Sequence, residues 1–258
     1  MIYERIKKFY NSYGGKKCVI GYSVCGREIF AMHIGDDCGR QLIAVYAVHA
    51  REWITAELAL KHIKTGLCKG WGGWIVPLVN PDGAEISQSV APLWKANARG
   101  VDINCNFDAL WGTGRLNTRV CGAENCIGDS PFSEPESRAV AHFTTRIMPN
   151  ATFAFHTKGE EIYWRFDGRG DESGAKILSF ATGYPCKDAV GSAGGYKDWC
   201  LMHLGIPSYT IECGSDRLAH PIKRVNRLKK CYNILKIFTQ QYGNQIYEER
   251  PKVRKKGL

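Results

Sequence analysis

Apolar positions along the chain recur with two different periods, and the switches between them mark the elements. Residues 16–35 read as a hairpin: "KKCVIGYSV", a turn at Cys25-Gly26-Arg27, then "EIFAMHIG". Residues 41–48 are a continuous apolar run, as expected of a short strand buried on both faces. From 53 to 67 the spacing lengthens to that of a helix, with Ala56, Ala59, Leu60, Ile63 and Leu67 recurring on one side. "GGWIVPLVNPDG" predicts another buried strand, closed by a turn at Asn80-Pro81-Asp82-Gly83. "SEPESRAVAHFTTRI" predicts a helix with Ser133 as N-cap, Pro135 early and Glu136 three residues after the cap. "ATFAFH" is a strand, "YKDWCLMHLG" a helix stopped by Gly205, and "PSYTIECG" a further strand. Residues 221–242 predict one long C-terminal helix, with Val225, Leu228, Tyr232, Leu235 and Phe238 along one side.

Strands and helices alternate, without repeats or a linker. The expected fold is therefore a single α/β domain: a mixed, mostly parallel, twisted β-sheet covered by helices on both faces. Its expected extent is 1–250, followed by a basic tail at 251–258, "PKVRKKGL". In such sheets ligands bind at the carboxyl ends of the strands. His49 after one strand, His156 at the end of another and Glu212 near the end of a third gather there.

Composition narrows the class. With 258 residues, 44% of them hydrophobic, the chain can bury a sizeable core. No apolar run reaches the length of a membrane span. The opening "MIYERIKKFYNSYGG" reads as a charged helix rather than a signal peptide, so a cytoplasmic protein is expected, with its eleven cysteines as reduced thiols. Cys121 and Cys126 are the nearest pair in sequence, and no Cys-x-x-Cys suggests a zinc knuckle. Residues 217–258 carry twelve of the 35 basic side chains and two of the 25 acidic ones, which is the whole +10 excess. That places the charge on a solvated helix face and tail. No basic-aromatic interleaving points to nucleic acid.

The candidate chemistry lies in "AVYAVHAREWITAEL", where an apolar run ends abruptly on His49-Ala50-Arg51-Glu52. Charge at the seam between two buried elements is costly unless something pairs it. His-x-x-Glu alone is a weak metal signal. Here His156 can add a third ligand from another strand, matching a hydrolytic zinc site of three protein ligands and one open position. Glu212, inside an apolar strand, would be destabilising as an unpaired core residue; as a base beside a metal and water it has a purpose.

From about residue 15 to about 240 the sequence resembles the zinc carboxypeptidase superfamily, and within it the bacterial γ-D-glutamyl-diamino acid peptidases that cut cell-wall peptides. The resemblance rests on "HAREW", "LVNPDG", "WKANARGVDINCNFDA", "FSEPESRA", "FHTKGEEIYW", "GSAGGYKDW" and "YTIECG" taken together. It implies one zinc per chain, held by His49, Glu52 and His156, with Glu212 as general base and then acid. It implies that Asp102 holds the second nitrogen of His49, which fixes the tautomer; otherwise Asp102 caps a turn or strand end. Arg51 would stand at the cleft rim or form a surface ion pair. Lys95 is the implied oxyanion cation, with Arg99 in reserve, or in a salt bridge beneath the sheet.

Two positions break the family pattern. The carboxylate-gripping Asn-Arg pair becomes Asn104-Cys105, which keeps the amide and removes the fixed guanidinium fork. The position of the substrate-capping tyrosine holds Val190, flanked by Tyr184 and Tyr196, with Tyr196 as a candidate substrate contact. Lys197 would line the specificity pocket and favour an acidic or zwitterionic side chain such as diaminopimelate, or would point to solvent. Lys158, Glu160 and Glu161 suit such a substrate or an ordinary salt-bridged loop. The resemblance thus implies a zinc peptidase cutting a γ-D-glutamyl-diamino acid amide in muropeptides. The alternatives are a degenerate member that binds zinc and peptide without turnover, and an amide hydrolase acting on small N-acyl amino acids.

Overall fold

The computed structural model describes residues 1–122 and 124–248. Helix α1 (Ile2–Ser12) leads into the hairpin β1 (Lys17–Tyr22) and β2 (Glu28–Gly35), then β3 (Arg40–Tyr46), α2 (Ile54–Thr65) and β4 (Trp71–Val76). Helices α3 (Pro81–Ser89) and α4 (Pro135–Ile147) flank a long loop region, and β5 (Ala151–His156) returns to the sheet. There follow β6 (Glu161–Tyr163), a small hairpin β7 (Arg165–Phe166) and β8 (Arg169–Gly170), α5 (Glu172–Thr182), β9 (Cys186–Lys187), α6 (Tyr196–Trp199), β10 (Ser208–Glu212) and α7 (Ile234–Glu248). The basic tail expected at 251–258 lies outside the described residues.

The main sheet runs β1-β2-β4-β3-β5-β10-β6-β9. Its centre, β4-β3-β5-β10, is parallel, while β1, β2 and β6 add antiparallel pairings. Alternation along the central strands divides the core in two. Leu42, Ala44 and Tyr46 of β3 pack with Phe153 and Phe155 of β5 beneath α2, α5 and α7. Ile43 and Val45 join Ala154, Val140 and Phe143 on the α4 side. Truncating either phenylalanine of β5 to alanine would cost about 3–5 kcal/mol, since no neighbour can fill the void fully. Among the described residues no helix is long and apolar enough to cross a membrane.

Several expectations shift. The "NPDG" signal starts a helix instead of a simple turn: Asn80 Oδ1 accepts the Gly83 N–H at 2.9 Å and Pro81 takes the first helical position. The N-cap of α4 is Glu134, one residue after Ser133, whose hydroxyl donates to Glu134 Oε1 instead. The long C-terminal helix is broken. A 3-10 segment, Val225–Cys231, with non-helical Leu228, precedes α7, although Leu228, Leu235 and Phe238 share the core as the spacing predicts.

Candidate active site

Register brings the site together. β3, β5 and β10 lie side by side, with Tyr46 opposite Phe155 and His156 opposite Glu212, so their carboxyl ends are level. The chain leaves β3 through Ala47, whose left-handed φ of 49° turns it sharply toward His49. That turn is pinned on both sides. Ala47 N–H donates to Thr55 Oγ1 at 2.8 Å, the Asn80 amide donates to Val48 O at 3.2 Å, and Ala50 N–H donates to Lys95 O at 3.0 Å. Asn80 thus caps α3 and holds the ligand turn at once.

His49, Glu52 and His156 converge, all buried, with their potential ligand atoms within 4.8 Å of one another. His49 Nδ1 lies 2.9 Å from Glu52 Oε1, His156 Nδ1 lies 3.0 Å from Glu52 Oε2, and the two Nδ1 atoms are 3.1 Å apart. Two imidazole nitrogens facing each other and a shared carboxylate fit a cation at their common focus. The donor set of two nitrogens and a carboxylate suits zinc. Behind His49, Asp102 Oδ1 stands 3.2 Å from Nε2 while accepting the Asn104 N–H at 3.0 Å. Asp102 therefore serves both as cap and as partner of the imidazole.

The charges are mutually dependent. Burial disfavours the His49 imidazolium, but Glu52 and Asp102 outweigh it and push its pKa up to about 9. Burial likewise opposes charge on Glu52 and Asp102, and the groups beside them, His49 and His156 for Glu52, Lys95 and His49 for Asp102, hold both carboxyls below the usual range; burial lowers the pKa of His156 itself. Glu212 is the opposite case: burial, then the Glu52 charge, push its pKa up to about 8. A dication at the focus would pull it back down.

Lys95 Nζ sits 2.8 Å from Asp102 Oδ2 and 2.8 Å from Asn125 Oδ1, so it flanks the centre from behind His49. Arg51 forms a two-pronged ion pair with the exposed Glu124. Arg99 is not brought to the site; its guanidinium is half-exposed, 3.7 Å from Glu134. Tyr196 is likewise excluded as a substrate contact. It is fully buried between Phe107 and Trp199, with its hydroxyl 2.9 Å from Thr144 Oγ1, because the helix it begins packs on the sheet. Tyr184 is also buried, while Val190 is exposed.

A cavity of ≈ 420 Å³ opens beside Glu212, lined among others by Asn104, Tyr163, Asp188, Lys197, Asp198 and Thr210. Lys197 is buried, not solvent-facing, held by Asp198 Oδ1 at 2.5 Å and the Arg165 carbonyl at 3.0 Å. Gly194 carries this wall in toward Asn104: a side chain there would meet Cys105 O at 2.9 Å, and its φ of 83° favours glycine. Cys105 is half-buried, and the desolvation of its thiol, aided by Asp102, raises its pKa well above the ordinary value, so it supplies no charge there. Lys158, Glu160 and Glu161 are each committed to a salt bridge, with Asp216, Lys230 and Lys187. Sequence reading missed Tyr163, Asp188 and Asp198; Asp198, beside Lys197 in "YKDW", was the one with a visible signal.

Comparison with known proteins agrees with this geometry. Residues 2–185 match the model of the zinc carboxypeptidase family. The chain is 30% identical over 270 residues to the protein YqgT of Bacillus subtilis, covering 87% of this chain and 72% of that protein. It is also 30% identical to γ-D-glutamyl-L-diamino acid endopeptidase 1 of Lysinibacillus sphaericus, covering 88% and 68%. The structure of bovine thrombin-activatable fibrinolysis inhibitor superposes with a TM-score of 0.80 at 20% identity, over 95% of this chain and 94% of that one. With its family, its fold and its two-histidine, one-glutamate centre in agreement, the chain belongs to the zinc carboxypeptidases and is a zinc metallopeptidase.

Proposed function

We propose that the chain hydrolyses the amide between γ-D-glutamate and a diamino acid in muropeptides, with Glu212 as the base. The observation that carries this reading is the pairing of Glu212 with a buried Lys197–Asp198 ion pair in one cavity. A neutral or singly charged side chain gains little from such a wall. The distal end of diaminopimelate, with its carboxylate and ammonium, meets a cation and an anion together. The similarity to the Lysinibacillus endopeptidase points to the same bond.

Zinc, held by His49, Glu52 and His156, would supply Lewis acidity to polarise the scissile carbonyl and lower the pKa of water. Glu212 takes the proton of the attacking water and passes it to the departing amine. Asp102 keeps His49 in the tautomer that presents Nδ1. Lys95 reaches the developing oxyanion by exchanging its Asn125 contact, and its charge is secure because Asp102 more than offsets the cost of burial. Arg51 receives a substrate carboxylate in exchange for Glu124, and Asn104 offers its amide on the cavity wall.

The test is to incubate zinc-loaded protein with L-Ala-γ-D-Glu-meso-diaminopimelate and read products by mass spectrometry, with Glu212→Gln and a chelator alongside. Release of diaminopimelate, lost in both controls, is the expected result. The neutral Cys105 favours a second reading, a zinc- and peptide-binding protein without turnover. Zinc at one equivalent with no cleavage of the tripeptide, of carboxyl-blocked peptides or of N-acyl amino acids would favour it over the first.

A further inference from the structure

Cys121 and Cys126 bracket the short segment that supplies Glu124 to Arg51 and Asn125 to Lys95. Their sulfurs are 3.6 Å apart, in contact without a bond. The ends of the segment are anchored by main-chain bonds. Gly122 N–H donates to Gly100 O at 2.9 Å, Asp102 N–H donates to Cys126 O at 2.8 Å, and Thr118 exchanges bonds with Asn125 and Ile127. Asn125 is held by its main-chain bond to Thr118 as well as by Lys95, whereas the exposed Glu124 reaches Arg51 through its side chain, in a pair that is weak on its own.

We propose that Cys121 and Cys126 form a reversible intrachain disulfide that fastens Glu124 and Asn125 over Arg51 and Lys95. The two thiols are suited to different halves of the exchange. Cys121 is exposed and can meet an external disulfide, whereas Cys126 is fully buried and can meet only Cys121. Closing the gap to a bonded distance takes about 1.5 Å of sulfur movement, within reach of side-chain rotation. The Cys121 thiolate attacks a low-molecular-weight disulfide such as oxidised glutathione, giving a mixed disulfide and one free glutathione. The Cys126 thiolate then attacks the Cys121 sulfur and expels the second glutathione. The protein loses two electrons and two protons, and the reagent disulfide takes them up as two thiols. Cys213 and Cys231 are also in mutual contact, but both are buried, so this pair has no exposed member to begin the exchange and serves as an internal control. This chemistry does not depend on the substrate reading above.

The experiment treats the zinc-loaded, full-length protein with oxidised glutathione, quenches with an alkylating reagent and maps the cysteines by mass spectrometry. The expected result is a peptide containing both Cys121 and Cys126 that is lighter by two hydrogens, unalkylated at both, and restored by dithiothreitol. Cys126→Ser should stop at a glutathione adduct on Cys121, and Cys121→Ser should leave Cys126 untouched. Hydrogen exchange of amides across 118–127 should slow about tenfold on oxidation of the wild type and stay unchanged in Cys121→Ser. A wild type that stops at the Cys121 adduct would overturn the pairing. A disulfide that forms while exchange in 118–127 is unaltered would overturn its role as a fastening.

Discussion

Glu212 and His156 are register partners on the last rung where β10 runs parallel to β5. The proposed base is therefore tied to a metal-site histidine through a strand ladder rather than a loop. Glu212→Gln keeps the shape and the rung while removing the proton acceptor. The expected outcome is a fall in kcat of about 10²–10⁴ with zinc still bound at one equivalent. Steady-state kinetics with metal analysis of the same sample checks it. A comparable loss of zinc would reassign Glu212 to metal holding.

The raised pKa of Glu212 makes a prediction for metal-free protein. Its pKa is about 8 when folded, against an ordinary unfolded value near 4.3. Protonated in the native state and ionised in the unfolded one, it costs stability progressively as pH rises through that window. Glu212→Gln removes that cost. In chelator, the variant should match the wild type near pH 4.5 and exceed it by a few kcal/mol near pH 7.5, on the order set by the shift. Denaturant melts at the two pH values measure this. A stability difference that is the same at both would show that the carboxyl is not held neutral. Zinc should shrink the difference, since a dication beside Glu212 favours its charged form.

Much of this site is legible in the amino-acid sequence alone. The central strands are continuous or alternating apolar runs, and a buried strand that ends on His or Glu announces a polar residue placed at the carboxyl end of the sheet. What could not be read were partners that meet only through tertiary packing. Arg51–Glu124 and Lys95–Asn125 join loops far apart in sequence with no periodic pattern to relate them. Tyr196 illustrates the limit from the other side. Its place flanking the loop of Val190 made it a candidate substrate contact, yet successive helical positions point in different directions, so Lys197 lines the wall while Tyr196 turns into the core. Arg99 and Lys95 lie close in sequence, and only the fold assigns Lys95 to Asp102 and Arg99 to Glu134.

Asp102 holds two positive groups from a fully buried position, 3.2 Å from His49 Nε2 and 2.8 Å from Lys95 Nζ. Asp102→Asn retains the shape and the cap to Asn104 but removes the charge that orients His49. Zinc affinity should fall about 10–100-fold, as measured by competition with a chromophoric chelator. Lys95→Met leaves the His49 contact in place and should cost far less affinity. Equal losses in the two variants would mean that the aspartate acts by general stability rather than on the imidazole.

Lys197 gives the sharpest test of substrate choice, because its partner is known. Replacing it with methionine leaves Asp198 buried without its cation, which costs stability whatever the enzyme cuts. Absolute activity is thus a poor readout, and a ratio cancels that cost. The pair of substrates is L-Ala-γ-D-Glu-meso-diaminopimelate and the same peptide ending in lysine, which lacks the distal carboxylate. A buried charge-assisted contact contributes about 1.5–3 kcal/mol, so the wild type should prefer the diaminopimelate peptide by about 10–100-fold in kcat/KM. Lys197→Met should bring the ratio close to one, chiefly through KM for the diaminopimelate peptide. Lys197→Arg, which keeps a cation beside Asp198, should restore part of it. An unchanged ratio in Lys197→Met would place the distal carboxylate elsewhere in the cleft and leave Lys197 as the structural partner of Asp198.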